Sequence, residues 1–190
     1  SRVTNVVFMG MGEPFLNYKN VSLAAEIINK KINLGARKIT ISTAGVVSKI
    51  YKMADDRLPY KLAISLNAPN NTIRKRIMPL TTNNPIEELI KSADYYYSKL
   101  KRFVTFEYVL LNNINDSEKC AIELINLLKN IPCKLNLIPY NEIGGKFSRP
   151  GNQSIDTFID ILKNAPFTVT VRWSKGTNID AGCGQLAVKN

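Results

Sequence analysis

Six apolar, strand-like runs alternate with helical patterns along this chain, and that alternation constrains the fold more than any other feature. The runs span 5–9, 38–42, 61–66, 103–111, 134–139 and 167–173. Val21, Ala24, Ala25 and Ile28 repeat at helical spacing behind Asn20, the expected cap. Asn84-Pro85 opens a second helix, with Pro85 at its first position and Glu87 and Glu88 near its positive end. After Asp116, the positions Ala121, Leu124, Ile125 and Leu128 line one face, and Ser154 begins a last helix with Ile155, Phe158, Ile159 and Leu162. Such alternation builds βαβ units and a parallel sheet with right-handed crossovers. Units of roughly 20–40 residues suit an open sheet or a TIM-like, partial barrel.

Composition removes several chemistries. There is no histidine among the 190 residues. That excludes Ser-His-Asp and Cys-His catalysis, His-ligated zinc and imidazole proton shuttles. Cys120, Cys133 and Cys183 lie far apart without metal-ligand spacing, and their odd number points to a reducing, cytoplasmic compartment. No apolar run nears the roughly 18 residues of a membrane helix, so no membrane partner is expected. A formal charge of +11 favours a polyanion such as RNA, although plentiful Lys alone would raise it. Ser1 in place of an initiator Met, just ahead of a strand, points to a partial sequence.

The segment Val6-Val7-Phe8-Met9-Gly10-Met11-Gly12-Glu13-Pro14 reads as a buried strand that ends in two glycines and a fixed carboxylate. Pro14 pushes Glu13 toward extended geometry, and the glycines let a ligand approach the main chain. An acid held there suits a cationic group such as an amine. Parallel strands would bring their other carboxyl ends to the same rim: Ser42-Thr43-Ala44-Gly45, Ser65-Leu66-Asn67-Ala68-Pro69, Leu110-Leu111-Asn112-Asn113 and Ile138-Pro139-Tyr140-Asn141. Each offers small or amide side chains for a polar small molecule, and each alone reads equally as a turn. The loop 141–151, with Lys146 and Arg149, is long and basic, and reads equally as a substrate contact or as a solvated connection. Cys120 and Cys133 read as packing, whereas Cys183, between Gly182 and Gly184, is a reachable loop thiol.

Together, Gly10–Pro14, Ser42–Val46, Ser65–Asn70, Asn136–Asn141 and Ala181–Leu186 resemble, in order, the radical S-adenosylmethionine RNA methyltransferases that act on C2 of adenine in 23S rRNA and tRNA. The resemblance implies a partial (β/α)6 TIM-like barrel of the radical S-adenosylmethionine type, lacking its first strand, with residues 1–190 forming the C-terminal portion of that core. It implies that Gly12 and Glu13 hold the amino end of S-adenosylmethionine. Ser42, the backbone around Ser65, Leu66 and Asn67, and the Asn141 amide would complete that pocket. Cys183 would accept a methyl group. A radical from a second cofactor molecule, cleaved at a [4Fe-4S] cluster, would then convert the S-methyl group into the species that adds to the base. A second cysteine would release the product through a disulfide. A reducing electron donor such as flavodoxin and a monomeric state are implied as well.

The family's Cys-x-x-x-Cys-x-x-Cys cluster loop, its resolving cysteine and its N-terminal RNA-binding domain have no counterpart in these residues, so the segment alone is expected to be inactive. Asn178 stands where the family has Asp, Lys175 where it has Arg, and Gly182 where it has Ala. The sister enzymes that methylate C8 of the same adenine share the mechanism, and a non-catalytic remnant binding RNA or S-adenosylmethionine is the other alternative. An aldolase-like barrel would need a Schiff-base lysine at a strand end, and Lys38 and Lys61 stand at strand starts.

Overall fold

The computed structural model describes residues 3–79, 84–142 and 145–173. Each apolar run forms a strand: β1 (Val6–Phe8), β2 (Ile39–Thr43), β3 (Lys61–Ser65), β4 (Val104–Leu110), β5 (Cys133–Pro139) and β6 (Thr168–Val171). The strands pair in sequence order, every pair parallel, and the sheet does not close. This is the α/β parallel sheet that the alternation predicts, in the open form of the partial barrel that the resemblance implies.

The run at 5–9 differs from expectation in one respect. It reads as a buried strand, yet Val7 is 55% exposed. β1 is three residues long and forms an edge, with β2 as its only paired neighbour among the described residues.

Six helices accompany the strands: α1 (Tyr18–Lys30), α2 (Val47–Asp55), α3 (Asn71–Ile77), α4 (Ile86–Leu100), α5 (Glu118–Leu128) and α6 (Asn152–Leu162). Three expected starts move. Asn20 lies inside α1 and donates to Asn17 Oδ1, so Asn17 is the residue at the cap position. Pro85 is the N-cap of α4, with ψ 149°, instead of its first helical residue, and the free Ile86 N–H donates to Asn71 Oδ1 at 2.9 Å. α6 begins at Asn152, behind Gly151. The short helices α2 and α3 carry too few turns for periodicity to mark them.

Alternation along each strand divides the sheet into two unlike faces. Val104, Phe106, Tyr108 and Leu110 of β4, and Cys133, Leu135 and Leu137 of β5, are buried in the core with the helices. Tyr108 meets Phe158 of α6 with ring centroids 5.7 Å apart. The opposite, concave face is polar. Ser65, Glu107, Asn136 and Thr170 stand in one register row across β3 to β6. Thr170 Oγ1 donates to Asn136 Oδ1 at 3.2 Å.

Behind the rim, Asn115 secures the ends of β3 and β4. Its Oδ1 accepts from Leu111 N at 2.7 Å, and its Nδ2 donates to the carbonyls of Asn67 and Val109 at 2.8 and 2.7 Å. Tyr108 Oη donates to the Asn115 carbonyl at 2.8 Å. The Asn115 side chain is fully buried, so an unmet donor or acceptor there would cost its desolvation. Replacing Asn115 with Ala should lower stability by about 2–4 kcal/mol, read as a shift of the urea midpoint at unchanged slope.

Candidate functional site

A cavity of about 280 Å³ opens at the carboxyl ends of the strands. Its wall includes Gly12, Glu13, Ser42, Ser65 and Asn67, five residues from three different strand ends. Gly12 has φ +87° and Gly10 φ +154°, and open space surrounds both positions. The backbone there is free for close approach by a ligand.

The Glu13 carboxylate joins two strand ends. Oε1 accepts from Phe15 N at 2.9 Å, which caps the short 3-10 turn Pro14–Asn17, and Oε2 accepts from Ala44 N at 2.6 Å, just past β2. Two oxygens of a carboxylate offer about four acceptor sites, so lone pairs remain for a cationic ligand.

Ala44 is gripped from its other side by Arg74, which the sequence reading did not single out. Asn70 caps α3 by accepting from Ile73 N at 3.0 Å, and one turn later Arg74 points back beneath the rim. Its guanidinium donates to the carbonyls of Ala44, Ser65 and Leu66, which lie at and just beyond the ends of β2 and β3. Arg74 is 2% exposed, and among the described residues no carboxylate pairs with it. Burial lowers its pKa to about 10, so the charge persists at neutral pH. The close fit fixes Gly45: with φ +113°, a Cβ there would sit 3.0 Å from Arg74 Nη2 and 3.1 Å from Leu89 Cδ1.

The remaining expected residues divide. The Asn67 side chain takes an architectural contact, its Oδ1 accepting from Val109 N at 2.9 Å, with its backbone at φ +56°. Leu66 is fully buried and stays off the cavity wall, but its carbonyl helps hold Arg74. Asn141 follows β5 and also lies outside the residues lining this cavity. Cys183 falls outside the described residues. Cys120 and Cys133 are buried free thiols, and burial pushes Cys133 up to about 12, which suits packing residues.

Glu107 is the second residue that the sequence reading missed. It is buried on the concave face, lines the cavity, and its carbonyl accepts from both Leu66 N and Asn67 N. Burial raises its carboxyl above the ordinary 4.5, while the Arg172 charge and a hydrogen bond with Asn136 pull the other way. Alternation in the run 103–111 would have placed it inward, opposite Phe106 and Tyr108. Among the described residues no group of three or more Cys, Asp or Glu is placed to hold a metal ion. No described helix is long and apolar enough to cross a membrane.

Parallel strands in an open sheet, with a cavity at their carboxyl ends, define an α/β domain of the partial-barrel type, whose members bind ligands at that rim. The family model "Radical SAM superfamily" matches residues 1–125, and the chain belongs to that superfamily. It is 50% identical over 188 residues to a probable dual-specificity RNA methyltransferase RlmN of Dictyoglomus thermophilum, covering 97% of this chain and 54% of that protein. The crystal structure of a radical SAM methyltransferase from Sphaerobacter thermophilus superposes with a TM-score of 0.93 at 43% identity, over 97% of this chain and 55% of that one. A domain of a pyruvate-formate lyase-activating enzyme from Bacteroides vulgatus shares the fold, with a TM-score of 0.71 at 18% identity over 90% of this chain and 99% of that one. The chain thus spans about half the length of the curated relatives it matches.

Gly45→Ala and Arg74→Lys should each destabilise the fold by about 2–4 kcal/mol, the first through strain and overlap and the second through carbonyls left unmet. Lysine withdraws the Nη2 atom that the new methyl group meets. The double variant should therefore lose less than the sum of the two in denaturant titrations.

An acid raised on folding costs stability as pH climbs through its unfolded value, and the cost is complete above its folded value. Glu107→Gln should therefore be more stable than the parent at neutral pH. That advantage should vanish below about pH 4, as urea midpoints at the two pH values would record.

Proposed function

We propose that this chain carries the cofactor-binding core of a radical S-adenosylmethionine RNA methyltransferase that acts on C2 of an adenine in 23S rRNA and tRNA. The observation that carries the reading is the shared wall of one cavity: Gly12, Glu13, Ser42, Ser65 and Asn67 converge there from separate strand ends. Similarity to the probable dual-specificity RNA methyltransferase named above supplies the substrate class.

In this reading Glu13 accepts from the ammonium of S-adenosylmethionine with the lone pairs left over from Phe15 and Ala44. Open backbone at Gly10 and Gly12 admits the methionine end. Ser42 and Ser65 present small polar groups along the wall, and Asn141, just past β5, would contribute its amide from beyond the lining of this cavity.

Cys183 is the first methyl acceptor. Its thiol gives up a proton, the Sγ lone pair attacks the sulfonium methyl carbon, and the new S–C bond forms as the old one breaks. The electron pair of the broken bond stays on the departing sulfur, so S-adenosylhomocysteine leaves neutral. Transfer onward to the base requires the one-electron chemistry of an iron–sulfur cluster. The described residues provide no ligand set for one, and the sequence has no Cys-x-x-x-Cys-x-x-Cys loop, so no step of that stage is assigned to this chain.

In the protein that carries this chain, Cys183→Ala should abolish methylation, measured by mass spectrometry of digested target RNA, while calorimetry shows S-adenosylmethionine binding nearly intact. Normal methylation by that variant would remove the assigned role. Glu13→Gln should weaken cofactor binding by about 1–3 kcal/mol, the range for a hydrogen bond to a charged group.

A further inference from the structure

We infer that the rim beyond β5 and β6 is a platform for single-stranded RNA, on which Trp173 and Phe147 stack bases while Lys146 and Arg149 meet phosphates. The identity of the polyanion rests on the RNA methyltransferase reading above. The platform itself rests on geometry that is independent of it.

Phe147 packs edge-on against Tyr140, with ring centroids 6.4 Å apart at 86°. Lys146 Nζ stands 5.0 Å over the Phe147 ring, and the Arg149 guanidinium carbon 5.7 Å over the ring of Trp173. Trp173 is 50% exposed with Arg149 over its ring, so part of the indole is accessible to a stacking base. The segment 145–150 is held from beneath. Asn112 N donates to the Ser148 carbonyl at 3.0 Å, Asn112 Nδ2 to Ser148 Oγ at 3.2 Å, and Pro150 is buried. The rings and cations are thus presented by anchored backbone.

The position suits a substrate of the cavity. Ile138 lines the cavity, and one residue beyond the Leu137–Val171 pair it is level with Arg172, the residue before Trp173. Charge agrees: the described segment 145–150 carries Lys146 and Arg149 and no carboxylate, and Glu142 Oε1 already accepts from Arg149 N at 3.3 Å, whereas the Arg172 charge acts on Glu107. A ring or guanidinium plane stacks on any base, and cations beside it track the backbone, which is how sequence-tolerant single-strand sites are built. An acidic peptide would use the cations and leave the rings unused.

Trp173 is the sole tryptophan of the 190 residues, so its emission reports on the platform directly. Titration of the chain with a short single-stranded oligoribonucleotide should quench that emission. The same strand made abasic should bind more weakly without quenching, and polyglutamate should not quench at all. By fluorescence anisotropy of labelled RNA, Trp173→Ala and Phe147→Ala should each weaken binding roughly tenfold, with Trp173→Phe recovering most of the loss. Lys146→Gln and Arg149→Gln should each flatten the salt dependence of log K by about 0.7. Calorimetry with S-adenosylmethionine should be unchanged in all of these variants, which separates failure of the platform from failure of the cofactor reading. RNA that binds without altering Trp173 emission, binding indifferent to these substitutions, or equal quenching by polyglutamate would each overturn the proposal.

Discussion

One buried guanidinium holds the rim of this sheet together. Arg74 donates to carbonyls of Ala44, Ser65 and Leu66, so a single side chain fastens the chain leaving β2 to the chain leaving β3. Carbonyls at the ends of parallel strands have no next strand residue to continue the ladder, and a planar fork of donors meets several of them at once. The charge is compensated by these dipoles alone among the described groups, and burial draws the guanidinium down without neutralising it. Much of the local sequence answers to this contact. Gly45 leaves the space that the guanidinium needs, Asn70 caps the helix that delivers it, and Leu89 of α4 closes the other side.

Glu13 completes the arrangement from the solvent side. Ala44 donates its N–H to the Glu13 carboxylate and offers its carbonyl to Arg74, so an anion and a cation oppose each other across one residue. The acid is thereby fixed by partners that leave it partly open to the cavity. A carboxylate positioned this way costs little to reorganise when a cation arrives, the general advantage of a preorganised polar site.

The sheet was legible because its apolar runs are long and bounded by turn residues, and each of the six became a strand. What local pattern left unread is physical in origin. In Arg74-Lys75-Arg76, nothing nearby in sequence marks which cation turns inward; only the geometry of α3 against the strand ends decides it. Glu107 stands among apolar neighbours in the run 103–111, where composition hides a charge that alternation places on the concave face. Motif likeness also merged two kinds of residue. Ser65 lines the cavity, Asn67 both lines it and pins β4, and Leu66 supplies a buried carbonyl, so one short string holds both wall and scaffold.

The polar concave face follows from leaving the sheet open. In a closed barrel, inward side chains meet one another and must pack; here Ser65 and Glu107 of the row Ser65, Glu107, Asn136 and Thr170 line a cavity, and Thr170 bonds Asn136. Such groups are tolerable only where water or a polar ligand can satisfy them. The helix side carries the apolar burial that holds the fold, in which Leu62, Phe106, Leu135 and Phe158 are fully buried. Stability and ligand chemistry therefore occupy opposite faces of the same strands, and substitutions on the concave face can retune binding without disturbing the core. Arg74 is the exception that joins them, since it is rooted in a helix and its grip shapes the cavity wall.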